Sequence, residues 1–452
     1  MRTVLATAAV TAFAYLLAGT GPLASAAHPP LSAACGSGPV TIRPETSAKT
    51  RDLLASGDLV ALLAAASAAR DGTPEADLLG GVAAGLMLND TEAAILLERY
   101  LASGDTTAIY FAASALAGVE MRHGRYDRAA AALRLALRPD VIATASDRDR
   151  RSTEQFMPVL EALEGIAAQS GPSIPTGETG VTRDAAELPL ARVVIEGQPQ
   201  PVILDTGANL SVIVRSRAAA LGLRMLDAQV SVASPVAEQT PVQLAIADRL
   251  EIGGAGFRNV VFLVLPDEAL TFAEGRYKIE AILGFPVLSR LGRLTFSASE
   301  AGGAMAFQPS ARREDPANPP NLLVDGLTPK IIACLLPENA PIQLALDSGA
   351  QTSSLRPRFA EAFPERVAAA SASTEAVGGV GGAVMRESRS IAMLELSFGP
   401  SSSVTLADVP LNEESLNQPG DHGRIGQDML RARGGYVLDF GTMRFDLVEA
   451  AR

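Results

Sequence analysis

Val202-Ile203-Leu204-Asp205-Thr206-Gly207-Ala208 and Leu344-Ala345-Leu346-Asp347-Ser348-Gly349-Ala350 are the same sentence written twice. Each is an apolar strand-like run that ends in an acid, a hydroxyl residue, a glycine and an alanine. An acid at the end of a buried strand is costly unless it is hydrogen-bonded or put to use. The glycine after it lets the chain turn sharply and lets a partner approach closely. One such run is an ordinary strand-to-turn signal. A third landmark makes the pair informative. Ala281-Ile282-Leu283-Gly284 ends 79 residues after Asp205, and Gly423-Arg424-Ile425-Gly426 ends 79 residues after Asp347. Two landmarks repeated in phase indicate an internal duplication.

Outward from these motifs the chain divides by pattern. Strand-like runs occupy Ala191–Ile195, Val202–Leu204, Gln229–Ala233, Val242–Ile246 and Val260–Leu265, and resume at Lys330–Leu336, Ile342–Leu346, Ala392–Leu396 and Tyr436–Leu438. These delimit two β-rich stretches, 185–308 and 321–452. A segment rich in Pro and charge, 309–320, reads as the linker between them. Another, 170–184, carries Gly171-Pro172, Pro175, Gly177 and Gly180 and reads as the linker before the first. Residues 40–169 are helical in pattern, with breakers at Gly57-Asp58, Gly72-Thr73-Pro74, Asn89-Asp90, Gly104-Asp105, Gly124 and Pro139. Gly124-Arg125-Tyr126-Asp127 followed by Ala129, Leu133, Ala136 and Pro139 resembles a tetratricopeptide unit; an ordinary helical bundle would read the same way. This region shows no catalytic constellation and is expected to pack or to bind a protein partner.

Composition bounds the function classes. The 452-residue chain is 48% apolar and 19% charged, which is a globular composition. Its formal charge is −12 and Lys occurs only at 49, 278 and 330, which argues against phosphate-backbone binding and hence against nucleic acid. Arg2, the apolar Thr3–Leu17, and Ala24-Ser25-Ala26 read as a signal peptide over 1–26, so export to a periplasm or medium is expected; an uncleaved anchor is the alternative. No later run reaches 18 apolar residues, so no membrane span is expected after cleavage. The two cysteines and three histidines are scattered, with no zinc pattern and no Cys-His or Ser-His pair; no metal and no cofactor are expected. Cys334 sits in an apolar run and reads as a buried small hydrophobe; sequence alone does not place Cys35 within its reach.

With these motifs together, residues 185 to 450 resemble the retropepsin-like branch of the aspartic proteases. The wider stretch Asp205–Ile213, continuing to Leu221-Gly222-Leu223, is similar to bacterial members. Arg424 departs from the apolar residue expected at its place. The resemblance implies a multidomain α plus all-β chain. A tetratricopeptide-like helical domain precedes two retropepsin-like β-barrel lobes, which form an internal pseudo-dimer within a monomer. It implies Asp205 and Asp347 as the catalytic pair acting on a polypeptide substrate through an activated water. Thr206 and Ser348 would lock the two loops, and Gly207 and Gly349 would turn backbone N–H groups toward the carboxylates. Gly378, Gly379, Gly381 and Gly382 would form the tip of a flap over the substrate, or else a plain surface loop. The corresponding stretch of the first lobe, Val232-Ala233-Ser234-Pro235-Val236, has neither Gly nor Tyr. The alternative is a catalytically silent periplasmic binding or scaffold protein, although such a chain would be free to lose an acid, a hydroxyl or a glycine that this one keeps.

Overall fold

A computed structural model describes residues 7–8, 50–232, 240–299, 302–311, 319–379, 382–399, 402–412 and 420–448. The leader (Thr7 and Ala8 aside), Cys35 and Gly381 lie outside the described residues. The fold is mixed α and β, with helices first and strands after.

Helices span Thr50–Ser56, Leu59–Ala68, Pro74–Leu86, Asp90–Ala102, Ile109–Arg122, Tyr126–Ala136, Pro139–Ile142 and Asp147–Leu163; most of their junctions fall at the breakers, while the start of 147–163 does not. The starts have local causes. Asp58 accepts from Ala61 N–H, Thr73 from Ala76 N–H and Ser146 from Asp149 N–H, each satisfying a donor the helix leaves free. Pro74 occupies the first turn, where its missing N–H costs nothing. Gly124 turns the chain between two helices at φ +67°, and Ala129, Leu133 and Ala136 are fully buried behind it.

The strands form two large sheets. In one, the order from edge to edge is 444–448, 435–439, 293–299, 302–308, 177–183, 189–195, 198–204, 281–283, 211–214, 260–265, 240–247 and 224–232. In the other, 382–399, 402–411, 354–355, 423–425, 340–346 and 328–336 close on themselves, because 382–399 pairs with both 402–411 and 328–336. The two share a local pattern. Strand 198–204 lies parallel to 281–283, which runs antiparallel to 211–214, itself parallel to 260–265. Strand 340–346 lies parallel to 423–425, which runs antiparallel to 354–355, itself parallel to 402–411.

Three expectations are corrected. First, the linker 170–184 is a linker only in part. Gly177–Arg183 is a strand inside the large sheet, paired on both sides with 302–308 and 189–195. Its glycines misled. A Cβ on Gly177 would sit 2.2 Å from Gly253 O and 2.4 Å from Phe307 Cζ, so this glycine marks close packing and not looseness. Second, the stretch 321–452 is not self-contained. Strand 435–439 pairs with 293–299, so the end of the chain returns to the first sheet. Third, Cys334 is buried as expected but is also disulfide-bonded. Of the second linker, residues 312–318 lie outside the described residues.

The helical region docks on both sheets through one continuous apolar core. Polar bonds stitch it down. Gln169 Nε2 donates to Pro286 O at 2.9 Å, Arg290 to Arg122 O at 3.0 Å and Arg122 to Gly326 O at 2.6 Å. Leu59 N–H donates to Gln343 Oε1 at 3.1 Å, and Gln343 Nε2 donates to Asp421 Oδ1 at 2.8 Å. Asp421 is 1% exposed and also pairs with Lys330 at 2.7 Å and Arg356 at 2.8 Å. A buried acid with this many donors is paired in the way that such burial requires. Next to it, burial pushes His422 down to about 4, so the ring is neutral at pH 7, and its Nδ1 accepts from Gln343 N–H at 3.1 Å.

Because 177–183 is an interior strand, its loss should destabilise the sheet beyond removal of the helical region alone, so a chain beginning at Ala185 should be less stable than one beginning at Ser170. The shorter fragment leaves the facing edges of 302–308 and 189–195 unpaired. Thermal melting followed by circular dichroism should show a markedly lower or absent cooperative transition for it. Equal melting of the two would show that the strand contributes little.

Candidate active site

The two Asp loops are held from behind in the same way. Asp205 N–H donates to Leu283 O at 3.0 Å, and Asp347 N–H to Ile425 O at 3.1 Å. On the far side of each loop, Phe285 N–H donates to Ala208 O at 2.8 Å and Gln427 N–H to Ala350 O at 2.9 Å. The apolar strands that lead into the acids are buried from Val202 to Leu204 and from Ile342 to Leu346. The alternative of solvating either acid in a loose turn is therefore closed: its strand is pinned at both ends.

The loops meet and interlock. Thr206 N–H donates to Ser348 Oγ at 2.9 Å, and Ser348 Oγ donates to Leu204 O at 2.8 Å. In the opposite direction Ser348 N–H donates to Thr206 Oγ1 at 3.0 Å, and Thr206 Oγ1 donates to Leu346 O at 3.2 Å. Each hydroxyl both donates and accepts across the junction, and both residues are completely buried. The glycines explain themselves by proximity. A Cβ on Gly207 would lie 2.7 Å from Asp347 Cγ, and one on Gly349 would lie 2.3 Å from Asp205 Cγ. Each glycine backbone lies flat against the opposite carboxyl, where no side chain fits.

The result is a pair of carboxyls brought together at 1% and 2% exposure. Asp205 Oδ1 accepts from Gly207 N–H at 2.8 Å. Asp205 Oδ2 and Asp347 Oδ1 have no hydrogen-bond partner. Two ionised oxygens offer each other nothing; one proton between the carboxyls gives a donor to the pair. Consistently, burial, and then the charge of Asp347 beside it, push the Asp205 carboxyl well above the usual carboxylate range. Around the pair stand residues that the motifs did not single out for this role. Arg424 Nη1 lies 3.4 Å from Asp347 Oδ2. Gln427 Nε2 donates to Ser348 O at 2.8 Å, and its Oε1 accepts from Arg183 at 2.7 Å. Arg183 belongs to the strand read as a linker, so nothing in the sequence pointed to it. The signal for Arg424 was present, as a charge in an otherwise apolar motif.

The glycine-rich stretch is a hairpin. Strands 371–379 and 382–399 pair in register down to Gly378 with Ala383 and Gly379 with Gly382, and residues 380 and 381 lie outside the described residues. In the first β-rich stretch, 224–232 and 240–247 likewise pair up to Val232 with Thr240, and Ala233, Ser234, Pro235 and Val236 lie outside the described residues.

Residues 191–287 match the sequence model of a family described as aspartyl protease. The matched span includes Asp205, Thr206, Gly207 and the Ile282-Leu283-Gly284 segment, and it supports an aspartic-type hydrolase. No curated protein matches the chain.

Two outcomes follow from the geometry. Ser348→Ala orphans Thr206 N–H and Leu204 C=O in the interior. At about 1–3 kcal/mol per orphaned group it should cost roughly 2–6 kcal/mol in a denaturant titration. Asp205→Asn should act oppositely at neutral pH. A folded carboxyl held above its unfolded value of about 3.9 contributes stability that is complete below that value and lost as pH rises through the folded one. Asn stays neutral, so the variant should melt higher than the parent at pH 7 and lose part of the decline in melting temperature above about pH 4. A variant melting lower than the parent at pH 7 would contradict the raised carboxyl.

Proposed function

We propose that this protein is an aspartic endopeptidase whose two Asp-loop lobes form an internal pseudo-dimer, with Asp205 and Asp347 as its catalytic pair. The observation that supports the reading is the reciprocal hydroxyl bonding of Thr206 and Ser348 between the two Asp loops, together with one unpartnered buried oxygen on each carboxyl. Structural carboxyls are buried against donors, as Asp421 is. Two adjacent buried acids that each keep one oxygen without a donor cost stability, and that cost is expected where the pair does chemistry.

The chemistry follows from one shared proton. The ionised carboxyl takes a proton from a water held between the pair as that water attacks the scissile carbonyl carbon. The protonated carboxyl donates to the carbonyl oxygen. The tetrahedral diol then collapses: one carboxyl accepts a hydroxyl proton while the leaving amide nitrogen takes one, and the C–N bond breaks. The pair finishes with one proton, as it began. The pair titrates as a unit, so the rate should be bell-shaped in pH. The hairpin whose strands carry Gly378, Gly379 and Gly382 is the proposed flap, with Gly381 expected at its tip from the sequence, and a polypeptide strand beneath it is the proposed substrate. Residues 1–26 are proposed as an export signal; a disulfide at Cys334 would be favoured in an oxidising compartment.

Incubation of the protein with a diverse peptide mixture across acid to neutral pH, with cleavage mapped by mass spectrometry, tests the proposal. Asp205→Asn and Asp347→Asn should each reduce cleavage by at least about 100-fold, because each removes a group that must act as both acid and base. Both should keep a cooperative melt, since Asn matches Asp in shape. Full activity in either variant would falsify the dyad.

A further inference from the structure

The two halves of the site match closely at the backbone, and they differ in charge at one place. The residue 77 positions after Asp205 is Ile282, and the residue 77 positions after Asp347 is Arg424. They occupy equivalent strands. Ile282 pairs with Ile203 beside the Asp205 strand, and Arg424 pairs with Ala345 beside the Asp347 strand. Ile282 is 1% exposed and serves as core. Packing at this place is therefore met by an aliphatic side chain, and the guanidinium needs another explanation.

Its surroundings supply one. The Arg424 side chain is 15% exposed and ends 3.4 Å from Asp347 Oδ2, while its Nε is buried without a partner. A guanidinium so placed loses hydration that only Asp347 offsets. Its charge therefore reports on the state of that carboxyl. The donors on the two acids differ accordingly: Asp205 Oδ1 has a neutral backbone N–H, and Asp347 Oδ2 has a cation.

We infer that Arg424 is a positioning residue of the pair: it holds Asp347 ionised and so places the shared proton on Asp205, making Asp347 the base toward water and Asp205 the acid toward the carbonyl. The charged groups that face Asp347 are few. Asp205 faces it from the opposite loop and Arg424 from the flanking strand. Ser348 and Gln427 are neutral, and Arg183 bonds Gln427 Oε1 and Glu187 O and neither carboxyl of the pair. Burial pushes the nearby Tyr436 hydroxyl up, so it carries no charge. Arg424 is thus the one cation in contact with the pair among the described residues. By favouring the anion it should carry the pair's ionisation, and the acid limb of any rate profile, to lower pH than a symmetric apolar surround would give.

The rate consequence rests on the endopeptidase reading; the ionisation does not, and the two are separated by measuring both. Carbon-13 NMR of protein labelled at aspartate carboxyls, assigned with Asp347→Asn, reads the midpoint of Asp347 directly in the parent, Arg424→Ile and Arg424→Lys. Arg424→Ile should raise the midpoint by about 1 pH unit or more, the usual effect of an adjacent opposite charge. Arg424→Lys should retain most of the parent value. Should Arg424→Ile not fold, the neutral Arg424→Gln takes its place in the same titration. In a peptide assay the acid limb should move upward by the same amount. An Asp347 midpoint unchanged in the neutral variant overturns the inference, as does Asp205 proving the more acidic of the two in the parent. A shifted midpoint without cleavage by the parent upholds the inference and removes the endopeptidase reading. Cleavage with an unshifted midpoint and acid limb removes the inference alone.

Discussion

Four hydrogen bonds between Thr206 and Ser348, and the carbonyls before each aspartate, hold two acids in contact that would otherwise repel and draw in water. Everything around them serves that juxtaposition. The bonds are buried, so water does not compete for them, and each hydroxyl is used fully. They act in both directions, so neither loop can withdraw without stripping partners from the other. Gly207 and Gly349 complete the arrangement by leaving no atoms where the opposite carboxyl must lie. Stability is spent here: the raised Asp205 carboxyl and the unpartnered oxygens are both unfavourable to folding at neutral pH.

That cost is offset at a distance from the acids. Gln343 stands four residues before Asp347 on the same strand, and its side chain joins the helical region at Leu59 to the buried Asp421 cluster. The helical region therefore braces the strand that delivers the second acid. At the other end, Gln427 reaches the Ser348 carbonyl and is itself held by Arg183, from a strand of the large sheet. The return of 435–439 to pair with 293–299 ties the last part of the chain to the first sheet. Helices, both sheets and both loops are thus coupled through buried polar contacts as well as through shared apolar packing, and separating them into independent domains would leave donors and acceptors without partners.

The site is repeated in backbone but not in charge. The repeated strand pattern makes the two acids equivalent in backbone position, while their side-chain surroundings differ. Ile282 and Arg424 occupy matching places and differ in their contacts: one is buried in the core, the other ends 3.4 Å from Asp347 Oδ2. A duplicated framework leaves such a position free to diverge, because strand pairing depends on backbone groups and tolerates either side chain.

Local signals were legible in the chain. The breakers placed most of the helices, since capping and turn formation depend on residues within a few positions of each other. The two Asp motifs, and the spacing to Gly284 and Gly426, marked the stretches that the fold brings together, because a duplication preserves its own intervals. Sequence misread 177–183 as a linker, since a glycine packed against Phe307 and a glycine in a loose turn are the same letter. It also could not show that 435–448 would leave the second stretch for the first sheet, or what Arg424 would touch. Strand partners and the neighbours of a buried charge are set by contacts between residues tens to hundreds of positions apart, and only the closed tertiary structure fixes those.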